Sequence, residues 1–189
     1  MATKLVNGVL VTFKRGDGDP NCPHPNLKRS DPDKDERTRS KHQQETDKYQ
    51  SRAGKNFRKA LKEERQGNHA LAATYLQRAV VDERKHLTFV FEKEVAKQTK
   101  AKEFSVKYEC PDCGMNSEID VVTSDGIVKE CKISAEAASE SQIQNHIAAA
   151  AILFPGAPVH LAVPKGEGKA AVSRFRNSKV ISKSSVQEH

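Results

Sequence analysis

The stretch that most limits how this chain can fold runs from residue 118 to 134, where two runs rich in Val and Ile flank Ser124-Asp125-Gly126. An Asp-Gly turn between β-branched runs specifies a β-hairpin, because glycine takes the positive φ that such turns need. Strand side chains alternate between faces, so Glu118, Asp120 and Val122 share one face of the first strand. On the second strand Val128, Glu130 and Lys132 share a face, and Ile127, Lys129, Cys131 and Ile133 take the other. The register of the turn therefore predicts that Asp120, Glu130 and Lys132 meet. Two carboxylates and a lysine among β-branched neighbours are costly to half-bury for packing alone. The alternative is an exposed cross-strand Asp–Lys pair, which contributes well under about 1 kcal/mol and needs no function.

A chain of 189 residues predicts one domain with an appended arm. Only 36% of it is hydrophobic, against 30% charged and no Trp, so the core is modest and part of the chain is extended or solvated. The net charge of +7 favours a polyanionic partner. No run of about 18 apolar residues exists, so no membrane span is expected. The N-terminal residues lack the apolar core of a signal peptide, which fits a cytoplasmic site of action.

Along the chain, Asn7-Gly8 between apolar runs predicts a small ribbon over residues 4–13. Pro20, Pro23, Pro25 and Pro32 then mark a linker, closing a first unit at 1–33. Residues 34–67 form a charged helical arm, whose part before Gly54 reads equally as solvated helix or disorder. In the core unit, 68–178, Leu71, Leu76, Val80, Leu87, Phe91 and Val95 recur at helical spacing. A strand over 104–108 leads through Cys110-Pro111-Asp112-Cys113-Gly114 into the central hairpin. A helix over 135–154, a buried strand over 159–163 and a helix over 168–176 follow, and 179–189 reads as a mobile tail. A strand–helix–strand crossover favours parallel pairing, so the expected fold is α+β (α/β), with a mixed sheet flanked by helices.

Paired carboxylates hold a hard divalent cation such as Mg2+ or Mn2+, and a neighbouring lysine can orient water and offset charge developing on phosphorus. Asp120, nine intervening residues, then Glu130-Cys131-Lys132 resembles the motif of the PD-(D/E)XK, or restriction-endonuclease-like, nuclease superfamily. The resemblance covers roughly 82–163 and implies an αβββαβ core behind an N-terminal helical arm. It implies that Asp120 and Glu130 bind the metal, joined by the backbone carbonyl of Cys131, and that Lys132 positions the attacking water. Ile119 stands where the family often has Pro. Many members add a helix Glu, for which Glu83, Glu92 and Glu94 are candidates and Glu94 is preferred. Some add a Gln after the lysine, for which Gln144 is preferred over Gln142. Glu118 is a candidate peripheral ligand. Small domains of this kind are similar to the nuclease modules of bacterial polymorphic toxins and interbacterial effectors, which implies action inside a recipient cell and a cognate, acidic immunity protein.

Cys110-x-x-Cys113 is half of a zinc knuckle, and Cys22 with His24 completes a Cys3His set if the linker folds back. Otherwise the motif is a turn with two reduced thiols. Three functions follow as expectations: a Mg2+- or Mn2+-dependent nuclease, DNA favoured over RNA; a non-catalytic zinc-knuckle nucleic-acid-binding protein; and a helical interaction protein acting through residues 33–100.

Overall fold

The computed structural model describes residues 2–6, 9–13, 18, 22, 24–30, 35–176 and 185–189, and at 2–6, 9–13, 35–40, 140 and 141 the backbone alone. Strands β1 (Ala2–Val6) and β2 (Val9–Phe13) pair antiparallel with Val6 opposite Val9, as two-residue Asn-Gly hairpins do.

Helices α1 (Asp35–Arg65) and α2 (His69–Gln98) form an antiparallel hairpin across Gly67, whose φ of 79° suits a helix stop. Ala53 and Ala60 on α1, and Ala72 and Ala79 on α2, are buried at seven-residue spacing, which lets the two backbones approach closely. Buried His42 and Thr46 continue the seam towards the sheet. The sparse apolar content of α1 therefore hides a continuous helix, because small residues rather than large ones make its contact.

The sheet has the order β3-β4-β5-β6-β7-β8, from β3 (Lys28–Arg29), β4 (Glu103–Glu109), β5 (Asn116–Val122), β6 (Val128–Cys131), β7 (Val159–Val163) and β8 (Val186–Glu188). Its first three pairings are antiparallel, and β6-β7 and β7-β8 are parallel. Helix α3 (Glu140–Leu153) is the crossover from β6 to β7. Helix α4 (Gly168–Arg174) follows β7. Val122 and Val128 of the central hairpin pack with Ala149 and Ala150 of α3, while Val121, Cys131 and Ala162 pack with Val95 of α2. The mixed sheet flanked by helices matches the expectation.

Three sequence readings differ from the structure. The linker supplies β3, which pairs with β4 and is held by Arg29, 2.6 Å from Glu103 and 5.2 Å from the Phe154 ring centroid. The helix expected over 135–154 is a 3-10 turn (Ala135–Ala137), an extended Ala138 and then α3. Glu167 Oε2 accepts the Ala135 N–H at 3.0 Å and so draws that turn to the start of α4. The supposed tail contributes β8, a parallel edge strand against β7. Glu188 there accepts the Gly168 N–H at 2.7 Å, and a Cβ on Gly168 would lie 2.5 Å from the same carboxylate oxygen, so a larger residue would push the Glu188 side chain aside. Residues 177–184 lie outside the described residues.

Candidate functional site

The sheet comes apart at Asp120. Strands β5 and β6 pair at Val122–Val128 and Val121–Lys129 and no further. On the other side the β4-β5 ladder skips the Ser105–Asp120 position, because Ser105 has a φ of 57° in the left-handed region. Backbone strain of about 1–3 kcal/mol at a serine is the kind of cost that a surrounding structure must impose. In place of a backbone acceptor, Asp120 Oδ2 takes the Cys131 N–H at 2.7 Å. The carboxylate is thereby fixed in the fork between β5 and β6.

Across the fork, Glu130 is only 1% exposed. Lys132 Nζ forms a close ion pair with Glu130 Oε1, and His146 Nε2 of α3 lies 3.1 Å from Glu130 Oε2. Neither Glu130 oxygen is aligned for a hydrogen bond with a protein donor. These contacts are therefore electrostatic, and the lone pairs of a sealed carboxylate are left without a directed partner. The hydroxyl of Tyr108 lies 3.5 Å from His146 Nδ1, with the two rings edge to face. From α2, buried Glu92 feels the charges of Asp120, Glu130 and Lys132 and hydrogen-bonds His42 Nε2 of α1 at 3.0 Å.

Electrostatics follow from the count of charges. Burial pushes Glu92 up to about 10, and the negative charges of Asp120, Glu118 and Glu130 add to it. Burial, then Glu130, pushes Asp120 up to about 7, against Lys132 and the Cys131 N–H. Burial alone would lower Lys132, but Glu130 and Asp120 outweigh it and hold the ammonium above its usual range. Burial pulls both His146 and His42 down to about 4, so both imidazoles are neutral at pH 7. The His42–Glu92 contact is thus a neutral hydrogen bond rather than an ion pair. Three carboxyls and a neutral imidazole face one ammonium, so the carboxyls cannot all ionise without further positive charge, and carboxyl oxygens are the donors that Mg2+ or Mn2+ takes. Among the described residues, the group of three or more ligand atoms close enough to share one ion is the thiol–imidazole cluster at the far end of β4.

The structure brings Asp120, Glu130 and Lys132 together as the hairpin register predicts. Glu94 does not join them: it is exposed and accepts from Gln98 Nε2 at 3.0 Å, and Glu92 is the α2 carboxylate that faces the fork. Glu83 is likewise exposed. Gln144 is exposed, whereas Gln142, one turn before His146, is half-buried. Glu118 sits at the rim, bonded by the Ser105 hydroxyl and 3.7 Å from Lys107 Nζ. Cys131 is fully buried against Val95 and Phe104, and its N–H makes the contact with Asp120. His146 is the residue that sequence reasoning missed, and Glu92 is the candidate it passed over in favour of Glu94. Their signal is a polar residue in an apolar stripe: His146 three after buried Ile143, and Glu92 three before buried Val95.

A second cluster lies at the far end of β4. Sγ of Cys22, Cys110 and Cys113 and a ring nitrogen of His24 all fall within 4.8 Å of one another. Cys22 and Cys110 sulfurs are 4.0 Å apart, and Cys113 Sγ is 3.5 Å from His24 Nδ1. A tetrahedral zinc shell with bonds of about 2.3 Å has edges of roughly 3.8 Å, so three sulfurs and one nitrogen fit zinc. The β4–β5 connection is closed by Cys110 N–H to Met115 O at 2.7 Å and by Gly114 N–H to Cys110 O at 2.8 Å. A Cβ on Gly18 would lie 2.6 Å from Met115 Cβ, so glycine is what lets the N-terminal segment close over the knuckle. No helix of the described residues is long and apolar enough to cross a membrane.

No family model, curated protein or solved structure matches the chain.

Proposed function

We propose that this chain is a metal-dependent nuclease that hydrolyses phosphodiester bonds, with DNA the favoured substrate, and that its knuckle holds a structural zinc. The observation that carries the reading is Glu130, a sealed carboxylate with two undirected oxygens, set beside Asp120 and Glu92 and a single ammonium. The order α2-β4-β5-β6-α3-β7 supports a restriction-endonuclease-like core, for which the resemblance implies a metal at Asp120 and Glu130. In this reading Asp120, Glu130 and Glu92 hold Mg2+ or Mn2+, which supplies charge neutralisation and an acidified water when bound.

The chain's own groups have separable tasks. Asp120 is anchored by the Cys131 N–H, so its free oxygen is held at the mouth of the fork. Lys132 is protonated and clamped by Glu130, so it donates hydrogen bonds to a water or a phosphate oxygen rather than accepting a proton. His146, neutral and backed by the Tyr108 hydroxyl, sets its Nε2 against Glu130 Oε2 and closes that side of the fork. Asp120 and Lys132 keep partial exposure, which leaves substrate a way in. Delivery into a recipient cell, and restraint by an acidic immunity protein, belong to the same proposal and are supported by the resemblance alone.

The four-ligand knuckle favours a second reading, a nucleic-acid-binding protein in which the fork is inert. Plasmid and RNA cleavage by the zinc-loaded protein, with and without added Mg2+ or Mn2+, separates the two. Chelators are avoided because they would strip the zinc as well. Cleavage that needs the added metal and falls at least about a hundredfold in Asp120→Ala and Lys132→Ala is expected. Failure to cut either substrate, or equal cutting by the folded variants, removes the nuclease reading and leaves the binding protein.

A further inference from the structure

The geometry points to the α1–α2 hairpin as a docking surface for the sugar–phosphate backbone of the nucleic acid that reaches the fork. The inference deepens the proposed function, and binding can be read separately from cleavage.

Between residues 48 and 62 the chain has six cations and no carboxylate: Lys48, Arg52, Lys55, Arg58, Lys59 and Lys62. Five of them (48, 52, 55, 59 and 62) fall at three- and four-residue steps, which makes one stripe on a helix. At 1.5 Å per residue the stripe is about 21 Å long. The stripe borders a groove of about 690 Å³ between the two helices, closed on the α2 side by Arg78. Among the described residues Lys55, Arg58, Lys59, Lys62 and Arg78 form no ion pair, while Arg52 is 3.5 Å from Asp82. A bland solvated face would intersperse acids with bases. Here Asp82 is buried in the seam against Arg52, and Lys48 at the stripe's end pairs with Glu45 at 3.1 Å, so the remaining like charges are crowded into one trough.

The two tyrosines of the hairpin are already engaged by cations. Lys59 and Arg78 lie 5.3 and 5.8 Å from the centroid of the Tyr75 ring, and Arg52 and Lys85 lie 5.6 and 5.1 Å from that of Tyr49. These rings hold the basic side chains in place instead of offering open faces on which bases could stack. The surface therefore suits phosphates, read without regard to sequence.

The groove also has a direction. Arg78, Lys85 and Glu92 stand at seven-residue intervals, so one stripe of α2 leads from the trough to the carboxylate of the fork. Arg78 and Glu92 are 14 residues apart on one unbroken helix, a rise of about 21 Å, or about six base pairs of duplex at 3.4 Å each. Antiparallel packing sets the same order on α1, where His42 meets Glu92 while Asn56 meets Asp82 at 3.1 Å. A strand lying in the trough is thus led to the site from one side.

The test uses the full zinc-loaded chain carrying Asp120→Asn, so that nothing is cut, with a labelled 20-base-pair duplex and a 20-nucleotide single strand. A partner variant adds Lys55→Gln, Arg58→Gln, Lys59→Gln and Lys62→Gln. Each phosphate neutralised contributes up to about 0.9 to the slope of log affinity against log salt. The fourfold variant is expected to lose about 3 units of slope and bind duplex about a hundredfold or more weakly at 0.1 M salt, with its helical signal and melting temperature kept. Lys165→Gln with Lys169→Gln, on the other side of the molecule, serves as control and should leave both quantities unchanged. Unchanged affinity and slope in the fourfold variant overturn the groove, as does failure of the parent chain to bind either probe at low salt; the latter leaves an acidic protein as the partner to seek. A loss confined to the single strand retains the backbone contact and overturns only the duplex geometry. If groove-dependent binding is seen while the chain without these substitutions cuts nothing, the groove stands and the nuclease reading falls.

Discussion

Asp120→Asn is expected to stabilise the metal-free protein while abolishing its activity. The asparagine keeps an oxygen for the Cys131 N–H, 2.7 Å away, so the anchor in the fork survives. What disappears is an ionised carboxylate that burial and Glu130 hold at about 7, against an ordinary value of 3.8. A folded-state value raised in this way means that the folded protein binds the proton more tightly than the unfolded chain. The associated stability is complete below pH 3.8 and is lost as pH rises through 7. At about 1.36 kcal/mol per unit, the penalty approaches about 4 kcal/mol above pH 7, with about 2 kcal/mol of it arising between pH 5.5 and 7. Relaxation around the site sets this as an upper range. At pH 8 the variant should melt roughly 4–8 °C above the parent, taking about 2 kcal/mol and 2–4 °C per kcal/mol for a chain of this size. Paired thermal melts from pH 5.5 to 8.5, with zinc present and Mg2+ absent, read the gap directly. A variant less stable than the parent at pH 8, or a gap that does not widen with pH, refutes the electrostatic account of the fork. Added Mg2+ or Mn2+ should narrow the gap by stabilising the parent alone.

Lys132→Met should cost about 3–5 kcal/mol in denaturant unfolding, because it leaves Glu130 buried without its cation, and cleavage should be lost with it. His146→Gln should weaken cleavage through Glu130. It should also flatten the loss of stability that the parent shows as pH falls from 6.5 to about 4, where the unfolded histidine takes a proton that the folded one refuses. Glu92→Gln should stabilise the metal-free protein at pH 7, because the native carboxyl is protonated there while that of the unfolded chain is ionised, and the gain should shrink as pH falls towards 4.5; it should also reduce metal-dependent cleavage. Cys110→Ser should lose about one zinc per chain by elemental analysis and expose the segment at 22–30 to limited proteolysis, with the helical signal intact.

The central hairpin was legible because its turn and its alternation are local properties. Ser124-Asp125-Gly126 fixes a register that pairs Val122 with Val128 and Val121 with Lys129, so Asp120 and Glu130 come next on their strands, where the two part. The knuckle was legible for a chemical reason, since thiols and an imidazole at such spacings have few other uses in common. Choosing among Glu83, Glu92 and Glu94 was harder, because the buried face of α2 turns along its length. Ala72 and Ala79 face α1, whereas Val95 faces the sheet. A residue's side on such a helix depends on which neighbour it meets, and that is tertiary information. The strand pairing of β3 and β8 was hidden for a related reason. Lys28–Arg29 and Val186–Glu188 are too short to show alternation, and they become strands only because β4 and β7 offer open edges. His146 was hidden by its residue type, which alone does not separate a packing residue from a neighbour of a buried carboxylate.

The two clusters differ in a way that bears on their roles. The knuckle offers three sulfurs and one nitrogen, a complete tetrahedral set in which no position is left for a substrate. Its members come from the N-terminal segment and the β4–β5 connection, so filling it joins distant parts of the chain, as a structural ion does. The fork offers carboxyl oxygens, from β5, β6 and α2, and keeps Asp120 and Lys132 partly open to solvent. A cation held there has fewer protein ligands than it needs and completes its shell with water or phosphate. Strand β4 connects the two, with Cys110 following one end and Ser105 near the other, and Tyr108 between them touching His146. Loss of zinc should therefore reach the fork only through the position of β4. Its mark would be weaker cleavage with an unchanged metal requirement, whereas changes at Asp120 or Glu130 should alter the requirement itself.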